Sequence, residues 1–180
     1  FFLRLGLGIK KYKNFKDLNF RQSDFINYKI VKYYVLKDNF LNNKNTHDIH
    51  SFNFLLFYQK LGGKKGIELS KKNIFLWFEK FKYYNNLSWN TEYASKRLIN
   101  LIYCYDFICL IFNQKEINKI NKILNFHIKR ISFELRFKKP DDITSAEILA
   151  LVLIECCKNS LNTKLNRKID YLINLQIDEN

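Results

Sequence analysis

The sequence predicts an all-α fold built from antiparallel helix pairs, and three observations carry that reading. From His47 onward, apolar residues recur at spacings of three and four, the period of a helix with one buried face. Breakers are scarce, with five glycines and one proline in 180 residues. The polar gaps between periodic stretches are short, and short connections join helices that lie antiparallel. The length fits one domain with a real core, and 47% hydrophobic content with 17% aromatics excludes a disordered chain.

Residues 1–45 lack a sustained helical period. The β-branched and aromatic run Tyr28–Leu36 predicts short extended segments, so this part reads as an irregular N-terminal arm. Residues 46–180 read as the helical domain. His50–Leu61 places Phe54, Phe57, Tyr58 and Leu61 on one stripe, with Gly62-Gly63 as its stop. A second helix is expected from about Ser70, with Ile74, Trp77, Phe78 and Phe81 on one face. Ser88 or Thr91 is the expected cap of a third, which carries Tyr93, Arg97, Leu98, Leu101, Ile102 and Tyr105 and runs on to Phe112. Glu116–Phe137 is a long amphipathic helix that Pro140 ends. Thr144 and Glu147 have capping-box spacing and open a nearly all-apolar helix through Cys157, expected to be an inner one. Leu165, Ile169, Leu172, Ile173 and Leu175 mark a last amphipathic helix. The chain starts at Phe1, contains no Met, and ends in Gln176–Asn180 without a closing Gly or Pro, so it is expected to be clipped at both ends, with any signal peptide illegible.

The formal charge of +14 invites a nucleic-acid reading. Only six of the 31 basic residues are arginines, however, and phosphate-reading surfaces favour Arg for its planar fork. Lysines spread along a chain fit solvated surface, so nucleic acid is not the expected partner, while an acidic glycan would still be attracted. Leu101–Phe112 and Ile148–Cys157 are too short to cross a membrane and each contains an acid. Cys104, Cys109, Cys156 and Cys157 lack the paired spacing of a zinc or redox site and read as small buried hydrophobes, reduced.

The segment Trp89–Leu101 concentrates the polar chemistry. Trp89 precedes a capped helix, and Arg97 and Asn100 lie three apart on it. Aromatic faces stack on sugar rings, and Arg and Asn hydrogen-bond hydroxyls and carboxylates, so these residues suit a carbohydrate contact. They equally suit a structural role, with Trp89 under a loop and Arg97 and Asn100 satisfying buried backbone. His47 and His50, three apart, lack a visible third metal ligand, so no metal and no cofactor are expected. His127, among Phe126, Ile128 and Ile131, reads as a satisfied structural histidine. Leu61–Gly66 lacks the spacing of a phosphate loop.

In order along the chain, Ile49-His50-Ser51-Phe52-Asn53-Phe54-Leu55, then Trp89 with Ala94-Ser95-Lys96-Arg97-Leu98-Ile99-Asn100-Leu101, then the His-bearing helix His127–Leu135, and finally Leu175-Gln176-Ile177-Asp178-Glu179-Asn180 resemble motifs of the heparinase II/III-like family. The match covers most of residues 25–180. The resemblance implies an incomplete (α/α) toroid, truncated at its C-terminal end, that precedes a β-sandwich domain in the whole protein. It implies β-elimination on a uronic-acid-containing polysaccharide, with His50, Trp89, Tyr93, Arg97 and Asn100 as candidate substrate contacts. Two departures stand out. Pro140-Asp141-Asp142-Ile143-Thr144 occupies the place of an Asn-His pair, and the Tyr-bearing segment expected to supply a base falls beyond Asn180. The catalytic residues are therefore not assigned in this chain. A lyase of this class works in the periplasm or outside the cell, whereas four unpaired cysteines fit a reducing compartment, so localisation stays open. The alternative is a non-enzymatic basic helical module that binds RNA or a protein partner, for which Lys80-Phe81-Lys82-Tyr83-Tyr84 is the supporting segment.

Overall fold

The structure, a computed structural model, describes residues 46–83, 86–157, 167 and 169–174. The N-terminal arm with Tyr28–Leu36, Tyr84 and the positions of Leu165 and Leu175 lie outside the described residues. Among the described residues every regular element is helical and there is no strand.

The stripe read as one helix over His50–Leu61 is two: α1 (Thr46–Ser51) and α2 (Phe54–Leu61). The break falls at Phe52, whose φ of 61° is left-handed, a conformation that bulky side chains rarely adopt. Gly62 (φ 67°) then turns the chain, its N–H donating to the Tyr58 carbonyl. Gly63 (φ 57°) is left-handed as well, and the two glycines complete the turn so that α3 (Gly63–Phe81) starts at once, well before the expected Ser70. A Cβ at Gly66 would run into the Tyr58 carbonyl, so glycine here lets α2 and α3 approach closely. Asn73 Nδ2 donates to the Tyr58 hydroxyl at 2.6 Å and locks the hairpin.

The next helix, α4 (Thr91–Tyr103), is capped by Asn90 and not by Ser88 or Thr91: the Asn90 side chain accepts the Glu92 N–H at 2.9 Å. The expected run to Phe112 is interrupted at Cys104, after which a short α5 (Tyr105–Cys109) follows. α6 (Gln114–Glu134) opens with a capping box between Asn113 and Glu116 that the pattern reading did not pick out. Pro140–Asp142 forms a single 3-10 turn, and α7 (Ser145–Cys156) opens on the Thr144–Glu147 box as its spacing predicts. Residues 169–174 are helical, with Ile169 and Leu172 buried.

Side-chain pairings fix the directions of the helices. His50 meets Trp77 and Phe81 while Tyr58 meets Asn73, so α1–α2 and α3 are antiparallel. Arg97 meets His127 while Tyr105 meets Asn121 at 2.8 Å, so α4–α5 and α6 form a second antiparallel pair. The first members of the two pairs run parallel: His47 meets Tyr93, Arg97 reaches His50, and Cys104 reaches Gln59. Their second members also run alongside each other, joined by the Lys71–Glu116 ion pair and the Phe78–Phe126 rings at 5.9 Å. α7 packs against α4, beginning a third row. Expected to be apolar on all sides and enclosed, α7 buries Ile148, Ala150, Leu151, Leu153 and Ile154 but leaves Leu149 47% exposed. Among the described residues no element covers that outer side.

Candidate functional site

The middle of α4 places Arg97 where α1, α3 and α6 meet, and the residue is 0% exposed. Nε donates to His127 Nε2 on α6 at 2.7 Å, and Nη1 donates to the His50 carbonyl at the end of α1. One turn further along α4, Asn100 Nδ2 donates to the Ser51 carbonyl at 2.9 Å and to Asn53 Oδ1 at 3.1 Å. The last carbonyls of a helix have no partner inside it. α4 supplies partners to two of them, and one carries a positive charge, which suits a helix C-terminus. Phe52 is the residue that turns the chain immediately after those carbonyls. Its strained backbone lets α1 end facing Arg97 and Asn100 while the Phe52 ring stays in the core.

Aromatic rings enclose the cation. The Arg97 guanidinium carbon lies 4.0 Å from the Trp77 ring centroid, 4.8 Å from that of Trp89 and 5.7 Å from that of Phe52. Trp89 is pinned by its indole N–H, which donates to the Phe81 carbonyl at 2.5 Å. Among the described residues no carboxylate pairs with Arg97, and its Nη2 has no hydrogen-bond partner. The π faces, the His127 lone pair and the α1 carbonyl stand in place of a counter-ion. Burial without a carboxylate lowers the Arg97 pKa well below its usual value.

The histidine tautomers follow from these donors. A guanidinium Nε–H only donates, so His127 Nε2 accepts, and the ring proton sits on Nδ1, 2.7 Å from the Ile123 carbonyl. The Trp77 indole N–H donates to His50 Nδ1 at 3.1 Å, which puts the His50 proton on Nε2. Both rings are held neutral. Desolvation and then the Arg97 charge push His50 from 6.5 to about 4, and the same two causes push His127 well down.

Of the five candidate contacts, His50, Trp89, Arg97 and Asn100 are therefore gathered into one buried network, while Tyr93 is partly exposed beside His47, ring centroids 5.3 Å apart. Compared with known proteins, the chain gives no match to a family model and no significant match to a curated protein or a solved structure. The network stands on its own geometry. Pattern reading missed Trp77 and Phe52 as walls of the cage, because a core aromatic at helical spacing carries no sign of what it faces. His127 had a legible signal, the only histidine on the long helix, but its tie to Arg97 spans thirty positions of sequence and no local pattern reports it. Among the described residues no group of three His, Cys, Asp or Glu side chains could hold a metal ion, and no helix is long and apolar enough to cross a membrane.

Proposed function

We propose that this chain forms the helical domain of a heparinase II/III-like polysaccharide lyase, a protein that cleaves uronic-acid-containing glycans by β-elimination. One observation carries the reading: the residues that resemble the family's separate motifs, His50, Trp89, Arg97, Asn100 and His127, meet in a single network although they come from three distant segments. Chance matches scattered along a chain have no reason to converge. The row-by-row stacking of antiparallel hairpins with parallel first members is also what an (α/α) toroid is built from, and it supports the same reading.

In this proposal the buried members are framework. They hold the first two hairpins in register, and positioning at that level is what a lyase needs, because proton abstraction at C5 demands a base and a carboxylate-neutralising group within hydrogen-bond reach of one sugar. His50, Trp89, Arg97 and Asn100 then act through the positions of α1 and α4 rather than by touching the glycan. Tyr93, with surface beside His47, is the candidate of the five within reach of a ligand.

The test is to express the full reading frame that contains this chain and follow the ultraviolet absorbance of unsaturated uronate products against a panel of acidic polysaccharides. A rise with one polymer is the expected result and names the glycan class. A folded full-length protein that gives no rise with any of them, or one that instead binds RNA with a steep salt dependence, overturns the proposal.

A further inference from the structure

We propose that the junction of α1, α4 and α6 is an acid-opened latch, in which protonation of His127 and His50 releases residues 46–53 from Arg97 and Asn100. The geometry rests on acceptors. His127 Nε2 accepts from the Arg97 Nε–H, and His50 Nδ1 accepts from the Trp77 indole N–H, so each imidazole uses its only lone pair on a donor that has no acceptor capacity. A proton added to either ring takes that lone pair. It turns one hydrogen bond into two opposed N–H groups and adds a second positive charge beside a guanidinium that has no carboxylate partner among the described residues. The network has no way to absorb the charge except by separating.

The element that separates is fixed by what each helix is otherwise held by. α4 and α6 share a long buried seam through Leu98, Leu101, Ile123, Leu124 and Ile128, and α6 keeps its own capping box. α1 is six residues long, too short to stand alone, and its C-terminal carbonyls depend on Arg97 and Asn100. It also ends at Phe52, whose left-handed backbone relaxes once the clamp is gone. The latch, its strained hinge and its two proton acceptors thus lie within one cluster.

The other titrating or charged groups around the cluster sit at its edge. His47 and Asp48 on α1 face each other at 3.7 Å, Glu92 and Lys96 on α4 pair at 2.5 Å, and Glu147 at the head of α7 pairs with Lys138 at 2.8 Å. α3 contributes Trp77 and Phe81, and α2 contributes Phe54, none of which titrates. Glu92 and Glu147 are each matched to a lysine, and Asp48 accepts from Asn53 Nδ2 at 3.0 Å.

Hydrogen exchange of the 180-residue chain across pH 7.5 to 4.5, corrected for intrinsic rates, reads the latch directly. Below about pH 6.5, the ordinary imidazole value, opening of residues 46–53 is expected to rise about tenfold per pH unit for one proton taken up, and about a hundredfold for two, while the centre of α6 stays protected. His50→Asn with His127→Gln keeps an acceptor at each place but cannot titrate, and the pH slope should flatten in that double variant. A segment whose opening does not change with pH overturns the latch, as does a slope that survives in the double variant. Should the double variant fail to fold, the unaltered chain still decides. Its Trp77 indole proton, bonded to His50, must shift with the same midpoint as the segment opens, and a Trp77 signal that stays constant through the opening rejects the mechanism.

Discussion

Arg97 is expensive to bury and expensive to remove, for different reasons. A guanidinium in a low-dielectric interior forfeits its hydration, which the rings of Trp77, Trp89 and Phe52 and the carbonyl of His50 offset in part. Truncation to alanine removes the charge but leaves the His50 carbonyl and His127 Nε2 without a donor and opens a cavity between two indoles. Arg97→Ala is expected to destabilise by roughly 3–5 kcal/mol, the range of large core truncations, as read from the urea midpoint. Arg97→Lys keeps the charge but cannot reach two acceptors lying in different directions from one planar fork, and should fall between the two. Asn100→Ala removes the donor to the Ser51 carbonyl and to Asn53, and about 1–3 kcal/mol is expected for the buried acceptor left behind. An Asn100→Ala variant as stable as the parent would mean that the α1 end is held by Arg97 alone.

At the level of elements, the caps and turns give sharper predictions than the helix interiors. Thr144 accepts the Glu147 N–H, while the Glu147 carboxylate, fully buried, accepts the Thr144 N–H and pairs with Lys138. Thr144→Ala should cost about 1 kcal/mol, by calorimetry or denaturant, and Glu147→Ala more, because it also strands the Lys138 ammonium. Gly66→Ala would drive a Cβ into the Tyr58 backbone and spread the α2–α3 hairpin, at an expected cost of roughly 1–3 kcal/mol. These features also mark what was legible in the sequence. The Thr144–Glu147 box, the apolar faces of α4 and α6 and the stop at Gly62 follow from local rules, and all-α follows from them. The break at Phe52 was not legible, because its left-handed backbone is imposed from outside, by the Arg97 and Asn100 donors that wait for the α1 carbonyls. The Asn90 cap was passed over for its neighbours Ser88 and Thr91, since Ser, Thr and Asn serve alike at that position, and the Asn113 cap was not read because the long helix was started at Glu116. In the candidate site, Trp89, Arg97 and Asn100 announced themselves by type and spacing. That they face inward was decided by packing partners far away in sequence.

Across the whole molecule, the two indoles provide a test of whether these rows act as one unit. Trp77 and Trp89 lie with ring centroids 5.7 Å apart, Trp77 on α3 and Trp89 just ahead of α4, and both contact the His127 ring of α6. Both are buried, so native emission should be blue-shifted, and the nearby imidazole and guanidinium couple it to the state of the cluster. If the stacked hairpins share a single core, exposure of the indoles and loss of helix must occur together, since neither hairpin can keep its inner face covered once the other has left. Urea unfolding followed by tryptophan emission and by far-ultraviolet circular dichroism at pH 7.5 should therefore give coincident midpoints. At pH 5 the latch adds a distinction: opening of residues 46–53 removes His50 from Trp77 before the α4–α6 seam fails. Emission is then expected to change ahead of the dichroism, by an amount that grows as the pH falls. Coincident curves at both pH values would show that α1 leaves only with the rest of the core. Separated curves already at pH 7.5 would show instead that the two hairpins unfold independently.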